Sequence, residues 1–592
     1  MEQKQVAIVH FNTPELTEAT ILSLRKHGGK DYHVTVFDNS DTRPFVKPME
    51  GVTIIDNTRG QIIDFEKELA KYELEESIGC GKNCRYGSAK HMMTIHKLWE
   101  LFPQGFVLME SDILLKKPID EFFRPEYSIV GYVQKEQKYN PYHIGRVLPM
   151  LCWYNVPMLM REGAKIFDPK RCYGIAGGGR QNKYNWYDTG AALLEDILKK
   201  RPRLKGLHID IRNHVEHYEN GSWRKNSPFD MARWLRQHEA LWMPETFERT
   251  DSKMCAVCAI GRMENRYAVE WVDHYLKLGF DKIFIYDNNF GDEEHFEEVL
   301  APYIKKKKVE IIPYRNILYS QKPAYNDCYR RHGHEYQWIA FFDFDEFLIL
   351  PEGETMKDFM ALHKDADLVA LNWQMMQDSG LTNYDPRPCQ ERFTVMMPYE
   401  MTRSDGTHVN DHMKSIVRGG LPCLIFDENP HMPGCPKMTV ENGVGEKVPQ
   451  RWFSPFNHKG AFLRHFNMKT IDEFLNFKCK RGFPTDDAYN AAWDKTRMAH
   501  WYEINGHTDY VQKWLEANGY DENGYKMPKV EVENGDPAVV VPEEKPKKAE
   551  EKAASKREQI QTGLSSAERE QAHQGDSIGK PKTKKRTNRK GK

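Results

Sequence analysis

Residues 339–348 constrain this chain more than any others: the apolar run Ile339-Ala340-Phe341-Phe342 meets Asp343, Asp345 and Glu346, then returns at once to Phe347 and Leu348. A short apolar run of this kind is a buried strand, and open α/β sheets gather their ligands at the carboxyl ends of such strands. Alternate residues of an extended chain share a face, so Asp343 and Asp345 can jointly hold a hard divalent cation. That cation would neutralise a diphosphate, which is the chemistry of a nucleotide-sugar site. Two aspartates at this spacing also describe a solvated strand end, so the surroundings must decide.

At 592 residues the chain exceeds a single core and predicts two or three folded units. Lys+Arg 85 against Asp+Glu 86 leaves a formal charge of -1, so no global field points to nucleic acid. The opening residues lack an apolar leader, and no uncharged apolar stretch of about 18 residues occurs, which predicts a cytoplasmic chain without a membrane span. The 11 cysteines, odd in number and scattered, predict reduced thiols. Cys80 and Cys84 flank a Gly-rich turn, and Cys255 and Cys258 form a C-x-x-C. The run from Met254 to Ile260 reads as a core strand, however, with Cys255 and Cys258 on opposite faces as small buried hydrophobes.

In the first half, Val6 to Phe11 is an apolar strand, followed by Thr13 as a cap and Pro14 in the first turn of a helix to about His27. Val34 to Ser40 is a second strand ending on Asp38, and Val52 to Asn57 a third. A helix from Tyr86 to Leu101 leads into the strand Gly105 to Met109, which runs into Glu110-Ser111-Asp112. Strands alternating with helices, with acids at the carboxyl ends, predict a parallel sheet. His10-Phe11-Asn12-Thr13-Pro14, Val36-Phe37-Asp38-Asn39-Ser40 and Glu110-Ser111-Asp112 together resemble the nucleotide-binding half of family 2 glycosyltransferases of the GT-A fold. The resemblance implies that His10, Asn12 and Asp38 meet the donor's base and ribose. It also implies that Glu110 and Asp112 stand where that family's D-x-D binds metal and diphosphate, with Glu110 in place of the first Asp. His217-Tyr218-Glu219-Asn220-Gly221-Ser222-Trp223 resembles the H-x-x-x-G-S-W segment of related bacterial enzymes, which implies His217 in the metal shell. Asp188, in Tyr187-Asp188-Thr189-Gly190, reads equally as a general base and as the N-cap of a helix over 191–200.

The second half repeats this organisation. Cys255 to Ile260 is a strand, Lys282 to Asn289 a strand ending on Asp287, and Val309 to Tyr314 a third before the run at 339–348. Glu264-Asn265-x-Tyr267-x-x-Glu270-Trp271, Ile285-Tyr286-Asp287-Asn288, Phe342-Asp343-Phe344-Asp345-Glu346-Phe347, Lys414-Ser415-Ile416-Val417 and Leu463-Arg464-His465-Phe466 fall in order and resemble glycosyltransferase family 92 and its bacterial relatives. That resemblance implies an inverting transfer with metal and donor diphosphate at Asp343 and Asp345. Glu264 and Asp287 would lie on the donor, Lys414 facing the diphosphate, His465 or His431 near the metal, and Arg464 balancing the leaving group. Asp378, in Gln377-Asp378-Ser379-Gly380, is the candidate base that takes the acceptor hydroxyl's proton.

From about Val530 large apolar residues all but vanish and a disordered tail is expected, ending in the basic run Lys580 to Lys590. Such a run can rest on anionic lipid or have no partner at all, and it lacks the aromatic platforms of a nucleic-acid site. The combined expectation is an α/β chain of two tandem GT-A domains, 1–248 and 249–529, and a disordered tail, 530–592. By resemblance it would use Mn2+ or Mg2+ to transfer sugars from nucleotide-sugar donors, UDP-sugars first, to a glycan or lipid-linked glycan. The resemblances further imply a bacterial surface polysaccharide, built at the inner face of the cytoplasmic membrane. A single active C-terminal domain, a nucleotidyltransferase and a non-catalytic carbohydrate-binding protein are the rival readings.

Overall fold

The computed structural model describes residues 4–29, 31–71, 81–134, 145–168, 189–218, 228–246, 253–398, 407–451, 453–483, 487–527, 530–531 and 539–540. The chain falls into two compact units, Met1–Val511 and Gln512–Lys592. The larger unit is mixed α/β and contains two large sheets, one from each half of the sequence.

In the first half, β1 (Lys4–His10), β2 (Tyr32–Asp38), β3 (Val52–Asp56) and β4 (Phe106–Glu110) are followed by β5 (Ile113–Leu115), β6 (Ile129–Gln134), β7 (Arg146–Tyr154), β8 (Gly206–His208) and β9 (Val215–His217). Seven of these form a sheet in the order β3-β2-β1-β4-β7-β6-β8, while β5 and β9 pair separately. The strands β1 to β4 run parallel to one another and β7 runs antiparallel to β4. Val6, Ala7 and Ile8 are wholly buried, as a parallel strand covered on both faces requires. Pro14 does open the helix Pro14–Gly28, but Thr13 makes no side-chain cap bond; its hydroxyl turns back to the Phe11 carbonyl at 3.4 Å. The helix before β4 begins at Gly81 rather than Tyr86.

In the second half, β10 (Lys253–Gly261), β11 (Lys282–Asp287), β12 (Val309–Pro313), β13 (Tyr336–Phe341), β14 (Glu346–Ile349), β15 (Leu368–Met375), β16 (Met413–Arg418), β17 (Val440–Asn442) and β18 (Phe462–His465) form one sheet. Its order is β12-β11-β10-β13-β16-β15-β18-β14, with β17 on β15. Again the first four strands are parallel, and the next along the sheet, β16, is antiparallel. Both sheets therefore reverse their order beside the first strand, the place where open α/β sheets bind ligands.

The halves share a core. Leu16, Ala19, Met231, Leu235 and Trp242 of the first pack in one cluster with Phe284, Tyr325, Phe341, Ile425 and Phe426 of the second. Polar bonds flank it: Glu18 Oε2 accepts from the Cys423 amide at 3.1 Å, Lys47 Nζ lies 2.5 Å from Glu18 Oε1, and Arg236 Nη1 lies 2.8 Å from Asp427 Oδ2. Cys255 and Cys258 lie buried in β10 with free thiols. Cys80 lies outside the described residues.

The smaller unit begins within the helix Asp509–Ala517, and Tyr520 pairs with Lys526 in an isolated bridge. Within the stretch expected to be disordered, Val530–Glu531 and Val539–Val540 pair as a short antiparallel ladder. The rest of that stretch, with its basic run, lies outside the described residues. Among the described residues no helix is long and apolar enough to cross a membrane.

Candidate functional site

The sequence 341–346 turns β13 into β14. The Glu346 amide donates to the Asp343 carbonyl at 3.0 Å, and the Asp343 amide donates to Glu346 Oε2 at 2.8 Å. Phe344 drives into the core, stacked on Phe296 at 5.2 Å and tilted against Trp271 at 4.9 Å. A Cβ on Gly261 would meet the Phe344 ring at 2.6 Å, so the close approach of β10 demands glycine there. With Phe344 anchored, Asp343 and Asp345 sit in the turn rather than on the strand that the sequence predicted.

Each aspartate meets a cation of the chain itself. Asp343 Oδ2 accepts from Lys414 Nζ at 2.8 Å, and Oδ1 accepts from Gln321 Nε2 at 2.9 Å and from the Tyr325 hydroxyl at 3.0 Å. Lys414, on β16, is fully buried and lies 3.5 Å from Glu346 Oε2. Burial opposes its charge, but Asp343 and Glu346 more than offset that and raise its pKa. Glu346 is also fully buried and accepts from Trp373 Nε1 at 2.7 Å; burial pushes its carboxyl well up, against the pull of Lys414. Asp345 lies 3.4 Å from His465 Nε2 and 3.7 Å from Lys478 Nζ. Burial works against the Asp345 carboxylate, yet these neighbours outweigh it and hold its pKa below the usual range. Burial pulls Lys478 down to about 8 and lowers His465 as well.

Aromatic rings close the other side. Trp373 on β15 stacks on His412 at 5.0 Å and packs against His465 at 4.4 Å and His431 at 5.2 Å. Trp373, His412 and Lys478 escaped the sequence reading. Trp373 carried a signal, since it lies inside the apolar strand that leads towards Asp378.

Two expected placements are corrected, those of Lys414 and Arg464, and the other expected residues are held by bonds within the chain. Lys414 does not face a ligand; it is sealed beneath Asp343. Arg464 neighbours His465 on β18, so strand alternation sends it to the other face, towards His274, whose pKa it helps to lower. His431 donates through Nδ1 to the Met413 carbonyl, 3.1 Å away. Glu264 is ion-paired with Arg481, and its other oxygen is buried without a hydrogen-bond partner among the described residues. Asp287 braces its own loop, accepting from the Asn289 amide at 3.0 Å and from Arg315 at 2.6 Å. Asp378 accepts from the Tyr510 hydroxyl at 2.9 Å and the Gly380 amide at 3.0 Å, while burial raises its pKa.

In the first half, the expected donor contacts are likewise bound up in the chain. His10 is fully buried between Thr17 Oγ1 at 2.7 Å and the Arg43 carbonyl at 3.2 Å. Asn12 Oδ1 accepts from the amides of Asp41, Thr42 and Arg43, and Asp38 accepts from those of Ser40 and Phe45. These residues shape the loop 39–45. Asp188 lies outside the described residues.

Glu110, Asp112 and His217 come together. Pairing of β5 with β9 sets His217 opposite Ile113, so His217 Nε2 lies 3.5 Å from Asp112 Oδ1 and 3.9 Å from Glu110 Oε2. One ligand atom from each lies within 4.8 Å of the others. Two carboxylates and an imidazole suit Mn2+, so this set fits the implied cation. Among the described residues, Asp287, His295 and Glu297 form the other such group, though Arg315 already occupies Asp287. Asp343, Asp345 and His465 do not converge in this way. With both Asp343 oxygens engaged and a fixed ammonium on one of them, that set does not fit an added divalent ion.

Residues 253–420 match the model of glycosyltransferase family 92. The similarity to glycosyltransferase family 92 thus falls in the C-terminal half. The match spans β10 to β16, the strands that bring Asp343, Asp345 and Lys414 to the site; His465 and Lys478 lie beyond it. A family 92 protein of Oryza sativa subsp. japonica is 31% identical over 115 residues, covering 19% of either chain. A galactan beta-1,4-galactosyltransferase of Arabidopsis thaliana is 26% identical over 117 residues, covering 19% of this chain and 24% of that one. The chain therefore spans about a fifth of the length of the curated relatives it matches. Among solved structures, the WbbM bifunctional glycosyltransferase aligns over 36% of this chain and 39% of its own at 10% identity, with a TM-score of 0.24, too low to carry an argument.

Proposed function

We propose that this protein is a glycosyltransferase that takes a sugar from a nucleotide-sugar donor, bound in the C-terminal half around Asp343 and Asp345. The observation that carries this reading is the family 92 match over the strands that build that site. In an inverting transfer, the acceptor oxygen forms a bond to the anomeric carbon as the bond to the diphosphate oxygen breaks, and a carboxylate takes the acceptor's proton. Asp378, which follows β15 beyond Trp373, is the candidate base that the family resemblance leaves to be tested. The site's fixed charges would steady the departing nucleoside diphosphate.

A second transfer in the first half is favoured by the Glu110, Asp112 and His217 cluster. Those residues would hold a Mn2+ or Mg2+ ion, which when bound supplies positive charge beside a donor diphosphate. The acceptor is read as a glycan or lipid-linked glycan. Its setting in a bacterial surface polysaccharide, at the cytoplasmic face of a membrane, rests on the family resemblances alone. The relatives named above are plant proteins, and the galactosyltransferase among them makes UDP-galactose the first donor to try.

The test is nucleoside diphosphate release from a panel of UDP- and GDP-sugars, with CMP release from CMP-sugars, in the presence of acceptor glycans. Turnover that disappears in Asp343→Ala/Asp345→Ala is expected. A second donor lost only in Asp112→Ala would add activity in the first half. Silence from every donor and acceptor would favour a carbohydrate-binding protein.

A further inference from the structure

The two aspartates of the C-terminal site carry two negative charges, and Lys414 and Lys478 bring two positive ones within 3.7 Å of them. One divalent cation would supply the same charge. Resting on the donor-site reading above, we propose that this site binds nucleoside diphosphate without a divalent cation, Lys414 and Lys478 supplying the positive charge from within the chain.

Three observations carry the inference. Lys414 cannot move aside: its side chain has no exposed surface and is fixed between Asp343 and Glu346. An ion reaching for Asp343 would therefore sit beside a permanent ammonium 2.8 Å from the oxygen it needs, and like charges repel. Asp343 also accepts from Gln321 and Tyr325 on its other oxygen, so each oxygen already has a partner within the chain. Lys478 differs from Lys414 in its anchoring. It comes from the short helical segment Phe474–Lys478, its amine donates to the Asn467 carbonyl at 2.8 Å, and it touches Asp345 at only 3.7 Å. Only 8% exposed, it stands as a second positive charge held beside Asp345. Charges fixed by the fold need no reorganisation when the diphosphate arrives. The first half holds the contrasting arrangement, three ligand atoms converging on one point.

The experiment titrates the full chain carrying Asp112→Ala, which disables the first-half cluster, with UDP and with GDP by calorimetry, once in Mn2+ and once in EDTA. The dissociation constant in EDTA should lie within about twofold of that in Mn2+. Lys478→Gln should weaken binding in EDTA by about tenfold or more, and Lys478→Arg should restore most of it. Because Lys414 is buried, it is tested as Lys414→Met with Asp343→Asn, which removes both charges together, in protein whose melting temperature matches the parent; a similar loss is expected. Binding that appears only with Mn2+ overturns the proposal and leaves the donor site standing, as does an unchanged affinity of Lys478→Gln in EDTA. Binding in neither condition overturns the donor-site reading and the proposal with it.

Discussion

At Glu110–Asp112 the chain gathers two carboxylates and an imidazole around one point, whereas at Asp343–Asp345 it sets Lys414 against one carboxylate and Lys478 against the other. Both acid pairs end the fourth parallel strand of a sheet whose first strands have the same order. The backbone plan therefore does not decide how the acids are used. Residues delivered from far along the chain do: His217 from β9 in one half, Lys414 from β16 and Lys478 from a short helical segment in the other.

The sharpest way to break this contrast is to remove one acid from each pair. Asp345→Ala should lower donor turnover in the second half by on the order of a hundredfold, while Mn2+ binding read by electron paramagnetic resonance stays as it was. Asp112→Ala should abolish that Mn2+ signal. A Mn2+ site lost with Asp345 instead would erase the distinction. Stability should separate the pairs next. Lys414→Met strands charge in a buried network and should cost about 3 kcal/mol in guanidinium unfolding, whereas His217→Ala, at a half-exposed cluster, should cost less than about 1 kcal/mol. Glu18→Gln, between the halves, should cost about 1 kcal/mol by weakening the bond from the Cys423 amide and the Lys47 pair.

The smallest expected effect is a dependence on acid. Burial holds His274 near a pKa of about 4 and lowers His431 and His465 from 6.5. The unfolded chain takes up protons at these histidines that the native state refuses. Their contribution is complete above about pH 6.5 and is lost as pH falls from there towards 4. Chemical unfolding followed across that window should show stability declining, and His431→Gln should flatten the slope.

The α/β class was legible because it rests on local regularities. Apolar runs such as Val6–Val9 and Ile339–Phe342 end in polar residues, and the structure puts Val6–Ile8 and Ile339–Phe341 in buried strands that pair in parallel with their neighbours β2 and β10. The acids at the strand ends were legible for the same reason. The roles of individual polar residues were not. His10 and Asn12 look the same in sequence whether they meet a ligand or tie down a loop, and the structure has them tie down 39–45. Arg464 was misread although alternation along β18 already separates it from His465. Lys478 left no trace, because its partner Asp345 is chosen by the path of the whole second half. Asp188 lies beyond what the structure describes.

The core shared by the two halves bears on how such a protein can be inherited or taken apart. Cutting the gene after codon 248 would expose Leu16, Met231 and Trp242 on one product and Phe426 on the other, and would leave Glu18 without the Cys423 amide. Neither product would keep the surface it needs to stay in solution. Swapping one half for that of a relative would succeed only if the helix Pro14–Gly28 and the loop 419–426 travelled as a matched set. In evolutionary terms, the two halves behave less like exchangeable cassettes than like a lock and key that must change together.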